Sequence, residues 1–144
     1  MRIHDRCPVR LLGLMLSLGL QAACGAAVVR PETPPGPGVP RIANLRFDPE
    51  VVRIGETLQM SFYFEVGTAD LDEGFLIQRG IREFQFYQDL QPTPIDLRRY
   101  HGQVAGTIEV PLRWSTEGVL FLEVYVVSKQ GNASNRLNGR VTVR

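Results

Sequence analysis

The chain has 144 residues, with 16 Lys and Arg against 15 Asp and Glu, a formal net charge of +1 and 44% hydrophobic residues. A near-neutral chain of this size has no electrostatic footprint for nucleic acid. Beyond residue 24 it has one histidine, His101, and no cysteine, whereas a His/Cys zinc site needs several such ligands.

The first element is an export signal. Arg2, Arg6 and Arg10 precede an apolar run from Leu11 to Leu20, and Ala22-Ala23 lead into Cys24. A ten-residue apolar helix would cover about 15 Å, half of a ~30 Å hydrocarbon core, so it is too short for a permanent span. Charged start, apolar centre and small residues before a cut make residues 1–23 a removable signal peptide. With a cysteine at the cut, the segment resembles the signal of a bacterial lipoprotein. The resemblance implies lipid on the Cys24 sulfur, a palmitate-type anchor, and membrane as the first partner. Gln21 stands where such signals usually carry Leu, and plain secretion after a cut near Ala27 is the alternative. Gly25 is not the Asp that retains similar lipoproteins at an inner membrane, so an outer membrane is the expected destination where the cell has one.

Processing changes the chemistry of what remains. Cys7 goes with the signal and Cys24 is acylated, which leaves a domain without a disulfide that must rely on its core. Three arginines and one aspartate are also removed, moving the net charge from +1 to −1. The sole lysine, Lys129, makes no lysine-rich patch for anionic lipid.

Residues 24–40 read as the lipidated cysteine and a tether. Five prolines and two glycines between Arg30 and Pro40 resist helix and favour an extended spacer, about 3.1 Å per residue, with a reach of roughly 50 Å.

Residues 41–144 read as one domain, and its apolar period is two. Arg41 to Phe47 and Val51 to Ile54 are short strands on either side of Asp48-Pro49. From Thr57 to Val66, Leu58, Met60, Phe62, Phe64 and Val66 alternate with polar residues and predict a half-buried strand. Leu71 to Arg79 is the least defined span, with a short helical turn as one option. Arg82 to Tyr87 is a further strand with Phe84 and Phe86 on one face. Ile108, Val110, Leu112 and Trp114 alternate, but Pro111 cannot donate a ladder bond, which predicts an edge or bulged strand. Gly118 to Val127 is apolar on both faces except at Glu123, as in a central strand. Val141 and Val143 face inward on the last strand.

About seven short strands without an amphipathic helix predict an all-β fold. Pro40 to Pro49, Val52 to Leu58, and Gly118 to Val127 followed by Gly131-Asn-Ala-Ser-Asn135 resemble a bacterial immunoglobulin-like domain of the polycystic-kidney-disease or fibronectin-type-III kind. The resemblance implies an immunoglobulin-like antiparallel β-sandwich. Departures are the missing inter-sheet cysteine pair and a tryptophan, Trp114, that comes late in the chain.

Chemistry is sparse. Asp70, Asp72 and Glu73 are a weak calcium candidate on an expected loop. They lack the further oxygens and the twelfth-position Glu of an EF-hand loop. His101 is the only histidine after the signal and reads as an exposed loop residue. No nucleophile–base pair and no phosphate loop accompany it. The chain is therefore expected to be non-enzymatic, with no cofactor and no small-molecule substrate. Asn132-Ala-Ser134 reads as a hairpin tip. The candidate binding face is outward on the central strand and its neighbour: Phe121, Tyr125 and Tyr87, aromatic anchors for an envelope protein partner. Together these features predict a lipid-anchored protein-binding or spacer module of the cell envelope. The alternative is a carbohydrate-binding or adhesive surface domain.

Overall fold

The computed structural model describes residues 30–82, 85–88 and 91–144, with backbone alone for 81–82 and 85–88. The segment expected to be a signal peptide and the expected lipidation site, Cys24, lie outside the described residues. These hold nine strands: β1 (Arg41–Asp48), β2 (Val51–Val52), β3 (Thr57–Glu65), β4 (Leu71–Arg82), β5 (Gln85–Gln88), β6 (Thr93–Ile95), β7 (Ala105–Arg113), β8 (Gly118–Ser128) and β9 (Leu137–Val143). A single 3₁₀ turn, Arg98–Tyr100, follows β6.

Two sheets pack face to face. The smaller is β1-β3-β7. The larger runs β2-β9-β8-β4-β5, with β6 also paired to β4. All pairings are antiparallel except β2 with β9. The chain thus starts on one sheet in β1, crosses at the Asp48-Pro49 turn, and runs alongside the last strand of the other sheet in β2. That strand order defines an immunoglobulin-like β-sandwich.

The core lies between the sheets. β3 is the middle strand of the smaller sheet, and its inward Leu58, Met60, Phe62 and Phe64 are all 0% exposed. β7 is an edge strand, as Pro111 requires, and β8 is central, between β4 and β9. From β8, Leu120, Leu122, Val124 and Val126 meet this core. Trp114 closes one end, its indole N–H donating to Gln78 Oε1 at 2.9 Å.

β1 changes face partway along. Its register against β3 slips between Ala43 and Arg46, where Asn44 takes a positive φ of 58°. Asparagine tolerates this left-handed conformation better than most residues. One extra residue moves the inward set from Ile42 to Leu45 and Phe47. The Phe47 ring then lies on Gly139 of β9, where any side chain would collide with it.

Three strands depart from the sequence expectation: Arg82 to Tyr87, expected as one strand, is divided between the end of β4 at Arg82 and β5, whose Gln85 pairs back with Arg82. β6, three residues long, has no counterpart among the expected strands. β4, which covers the least defined span of the sequence, is the longest strand, with 12 residues, and pairs with β8 almost throughout. Both of its faces are covered near Phe75-Leu-Ile77, so alternation disappears. Gly74 interrupts the β-prone sequence for a packing reason: a Cβ there would stand 3.1 Å from Leu97 Cδ1 and 3.2 Å from Ile95 Cβ. The missing side chain lets β6 and the turn after it close over the sheet.

Candidate interaction surface on the larger sheet

The candidate face is the outer side of β4 and β8. Outward residues on β8 are Val119, Phe121, Glu123, Tyr125 and Val127. Their cross-strand partners on β4 include Ile81, Arg79, Ile77 and Phe75. This single face divides into a covered end and an open end.

At the covered end, Tyr125 is 1% exposed and belongs to a second small core with Ile77, Val127 and Ala133. Phe75 stacks on it, with ring centroids 5.2 Å apart. Two segments form the cover. One is the stretch after β8, where Ser134 Oγ accepts from the Val126 N–H at 3.0 Å and donates to the Asn135 carbonyl at 2.7 Å. The other is the segment 30–40, expected as a free spacer. It is instead hydrogen-bonded to the domain: the Thr33 N–H donates to the Ala133 carbonyl at 3.1 Å, and the Ala133 N–H to Thr33 Oγ1 at 2.8 Å. Asn132 Nδ2 donates to the Gly38 carbonyl at 3.3 Å. Asn132-Ala-Ser134 is therefore not a free hairpin tip; Ala133 and Ser134 are buried.

Charge closes the rim of this cover. The Arg136 guanidinium lies 4.3 Å above the Tyr125 ring and donates to a Glu123 oxygen and to the Arg30 carbonyl. Arg79 stands 4.0 Å from Glu123, and Arg30 is 3.7 Å from Glu73. Burial pushes the Tyr125 phenol above its ordinary pKa. Its hydrogen bond to the Arg30 backbone and the nearby arginines offset this only in part.

At the open end, Phe121 is 42% exposed. Its ladder partners are Arg79 on β4 and Arg140 on β9, both exposed. A recess of about 380 Å³ lies beside it, bordered by Arg79, Glu123 and Asn138. Phe121 and Tyr125, expected on one open face, are thus separated, one free and one buried. The Tyr87 side chain lies outside the described residues; its backbone, on β5, pairs with Gly80 of β4.

The other candidates do not converge. Asp72 and Glu73 belong to β4, not to a loop, and both are exposed. Asp70 keeps both carboxylate oxygens buried without a hydrogen-bond partner. Among the described residues no three His, Cys, Asp or Glu side chains form a group able to hold a metal. His101 is exposed, with Nε2 3.4 Å from the Asp72 carbonyl. Tyr100 is structural: its ring meets Phe64 edge-on at 6.0 Å, and its hydroxyl accepts from the Glu109 N–H at 2.9 Å. Among the described residues no helix is long and apolar enough to cross a membrane.

Sequence reasoning missed Arg79, Arg136 and Arg140. The signal was available only once β4 is recognised as a strand, since alternation then places Arg79 outward beside Phe121.

No family model matches the sequence, and no curated protein matches it. Among solved structures, the chain is similar to a Niemann-Pick type C2 protein from the Japanese carpenter ant, at 10% identity and a TM-score of 0.47, over 76% of this chain and 96% of that one. It is similar to the sporulation control protein Spo0M from Bacillus subtilis at 9% identity and a TM-score of 0.47, over 74% of this chain and 50% of that one. The CARDB domain of PF1109 from Pyrococcus furiosus, in complex with di-metal ions, is similar at 12% identity and a TM-score of 0.41, over 77% of this chain and 97% of that one. At such identities no ligand or activity transfers.

Proposed function

We propose that the chain is a lipid-anchored, non-enzymatic protein of the cell envelope whose β-sandwich is a protein-binding or spacer module. The observation that carries the reading is the export signal that ends in Ala22-Ala23-Cys24, six residues before the point where the chain docks on the sandwich at Arg30. Lipid on Cys24 holds the domain at a membrane, since two or more acyl chains anchor stably. A polycystic-kidney-disease or fibronectin-type-III relationship fits the strand order but adds nothing about a partner.

The carbohydrate-binding alternative is disfavoured by the tyrosines. Sugar stacking calls for rings on one open face. Tyr63 is 37% exposed on the smaller sheet, whereas Tyr125 is buried on the larger.

Labelling cells with palmitate tests the anchor. Wild type takes up the label and fractionates with membranes, and Cys24→Ser takes up none. A wild-type protein that is exported without label sinks the lipoprotein reading.

A further inference from the structure

The outer face of the larger sheet is closed at one end and open at the other. The described chain begins on that same face. Arg30 is held there by Arg136 and Glu73. The six-residue step from Cys24 to Arg30 reaches at most about 20 Å. A lipid on Cys24 would therefore bring this face, rather than a distant end of the domain, within reach of the bilayer.

The open end has matching chemistry. Phe121 presents a half-exposed ring between the exposed guanidinium groups of Arg79 and Arg140. Glu123, the outward carboxylate two residues along β8, is engaged by Arg136 and stands 4.0 Å from Arg79, while Glu50 lines the recess beside Arg140. Aromatic rings settle at the headgroup level of a bilayer, and arginines beside them attract anionic phosphates. Because the processed chain has a net charge of −1, its overall field does not draw it to anions. Local attraction at this face would then also set orientation.

We propose that the face centred on Phe121, between Arg79 and Arg140, rests on an anionic phospholipid surface. The proposal deepens the lipid-anchored reading: the anchor supplies residence and this face supplies orientation. A second copy of the chain or a protein partner is the competing occupant.

The acylated protein has no free thiol, so a single cysteine can report on each face. Phe121→Cys and, on the opposite sheet, Tyr63→Cys are labelled with an environment-sensitive fluorophore. Each is reconstituted in vesicles of phosphatidylglycerol with phosphatidylcholine, or of phosphatidylcholine alone. Headgroup spin-labelled lipid should quench position 121 and not position 63, and only where phosphatidylglycerol is present. Arg79→Gln with Arg140→Gln should weaken the face-down state by roughly 25-fold, about fivefold per arginine. Equal quenching at both positions, or no effect of the arginine pair, overturns the proposal. So does lipid-independent, concentration-dependent shielding of position 121, which assigns the face to a second copy. A palmitate-free protein defeats the anchor alone. The labelled, exported protein mixed with the same vesicles then decides the face by the same quenching.

Discussion

Tyr125 and Phe121 sit four residues apart on β8 and point out of the same side of the same sheet, yet one is 1% exposed and the other 42%. Both are aromatic, and both have long neighbours on β4. What separates them is what lies above. Residues 30–40 and the stretch from Asn132 to Arg136 roof the Tyr125 end, and nothing among the described residues roofs the Phe121 end. The Thr33–Ala133 bond joins residues 100 apart in the chain. Outward on a strand is therefore not the same as exposed. Strand parity assigns a side, and only the tertiary fold decides whether that side is wet.

The contrast can be broken by equal truncation at the two ends. Tyr125→Ser empties a packed site and should cost about 3–5 kcal/mol in urea unfolding, whereas Phe121→Ser should stay within about 0.5 kcal/mol. Comparable losses would mean that the two ends are equally buried. A smaller contrast comes from the arginines. Arg136→Ala removes the cation over Tyr125, a donor to the Arg30 carbonyl and the nearest partner of Glu123. In that pair the side chains are 18% and 16% exposed. Loss of such a charged hydrogen bond should cost about 2–3 kcal/mol. Arg79, 48% exposed and 4.0 Å from the same carboxylate, should cost under about 0.5 kcal/mol as Arg79→Ala. Chemical denaturation of the two variants, side by side, ranks them.

What could be read from the sequence follows the same division. β3 was legible because one of its faces is buried and the other wet, so Leu58 to Phe64 alternate cleanly. β7 was legible as an edge because Pro111 has no N–H to give. β4 was not, because its middle is covered on both sides and Gly74 makes room for Leu97; neither fact leaves a period-two trace. The docked segment 30–40 was hidden for another reason. Its prolines do favour extended chain, but its hold on Ala133 and Asn132 comes from Thr33 and the Gly38 carbonyl, which have no local signature. The candidate face was half legible. Phe121 stands where alternation puts it, while Arg79 and Arg140 meet it only through the β4–β8–β9 register.

The finest distinction between the two ends is a matter of protons. Burial raises the Tyr125 phenol pKa, so the folded state holds that proton more tightly than the unfolded chain does. The stability tied to this is complete below the unfolded value of about 10. It is lost as pH rises through the folded value, because the unfolded chain ionises first. Melting temperature should therefore fall above about pH 10 more steeply in wild type than in Tyr125→Phe, which has no phenol to ionise at this site. The other tyrosines titrate in both proteins, so the difference between the two curves isolates Tyr125. Phe121→Ser should follow the wild-type curve, since it leaves the roof over Tyr125 intact. If Tyr125→Phe and wild type lose stability in parallel, the phenol is open to water and the covered end is not closed.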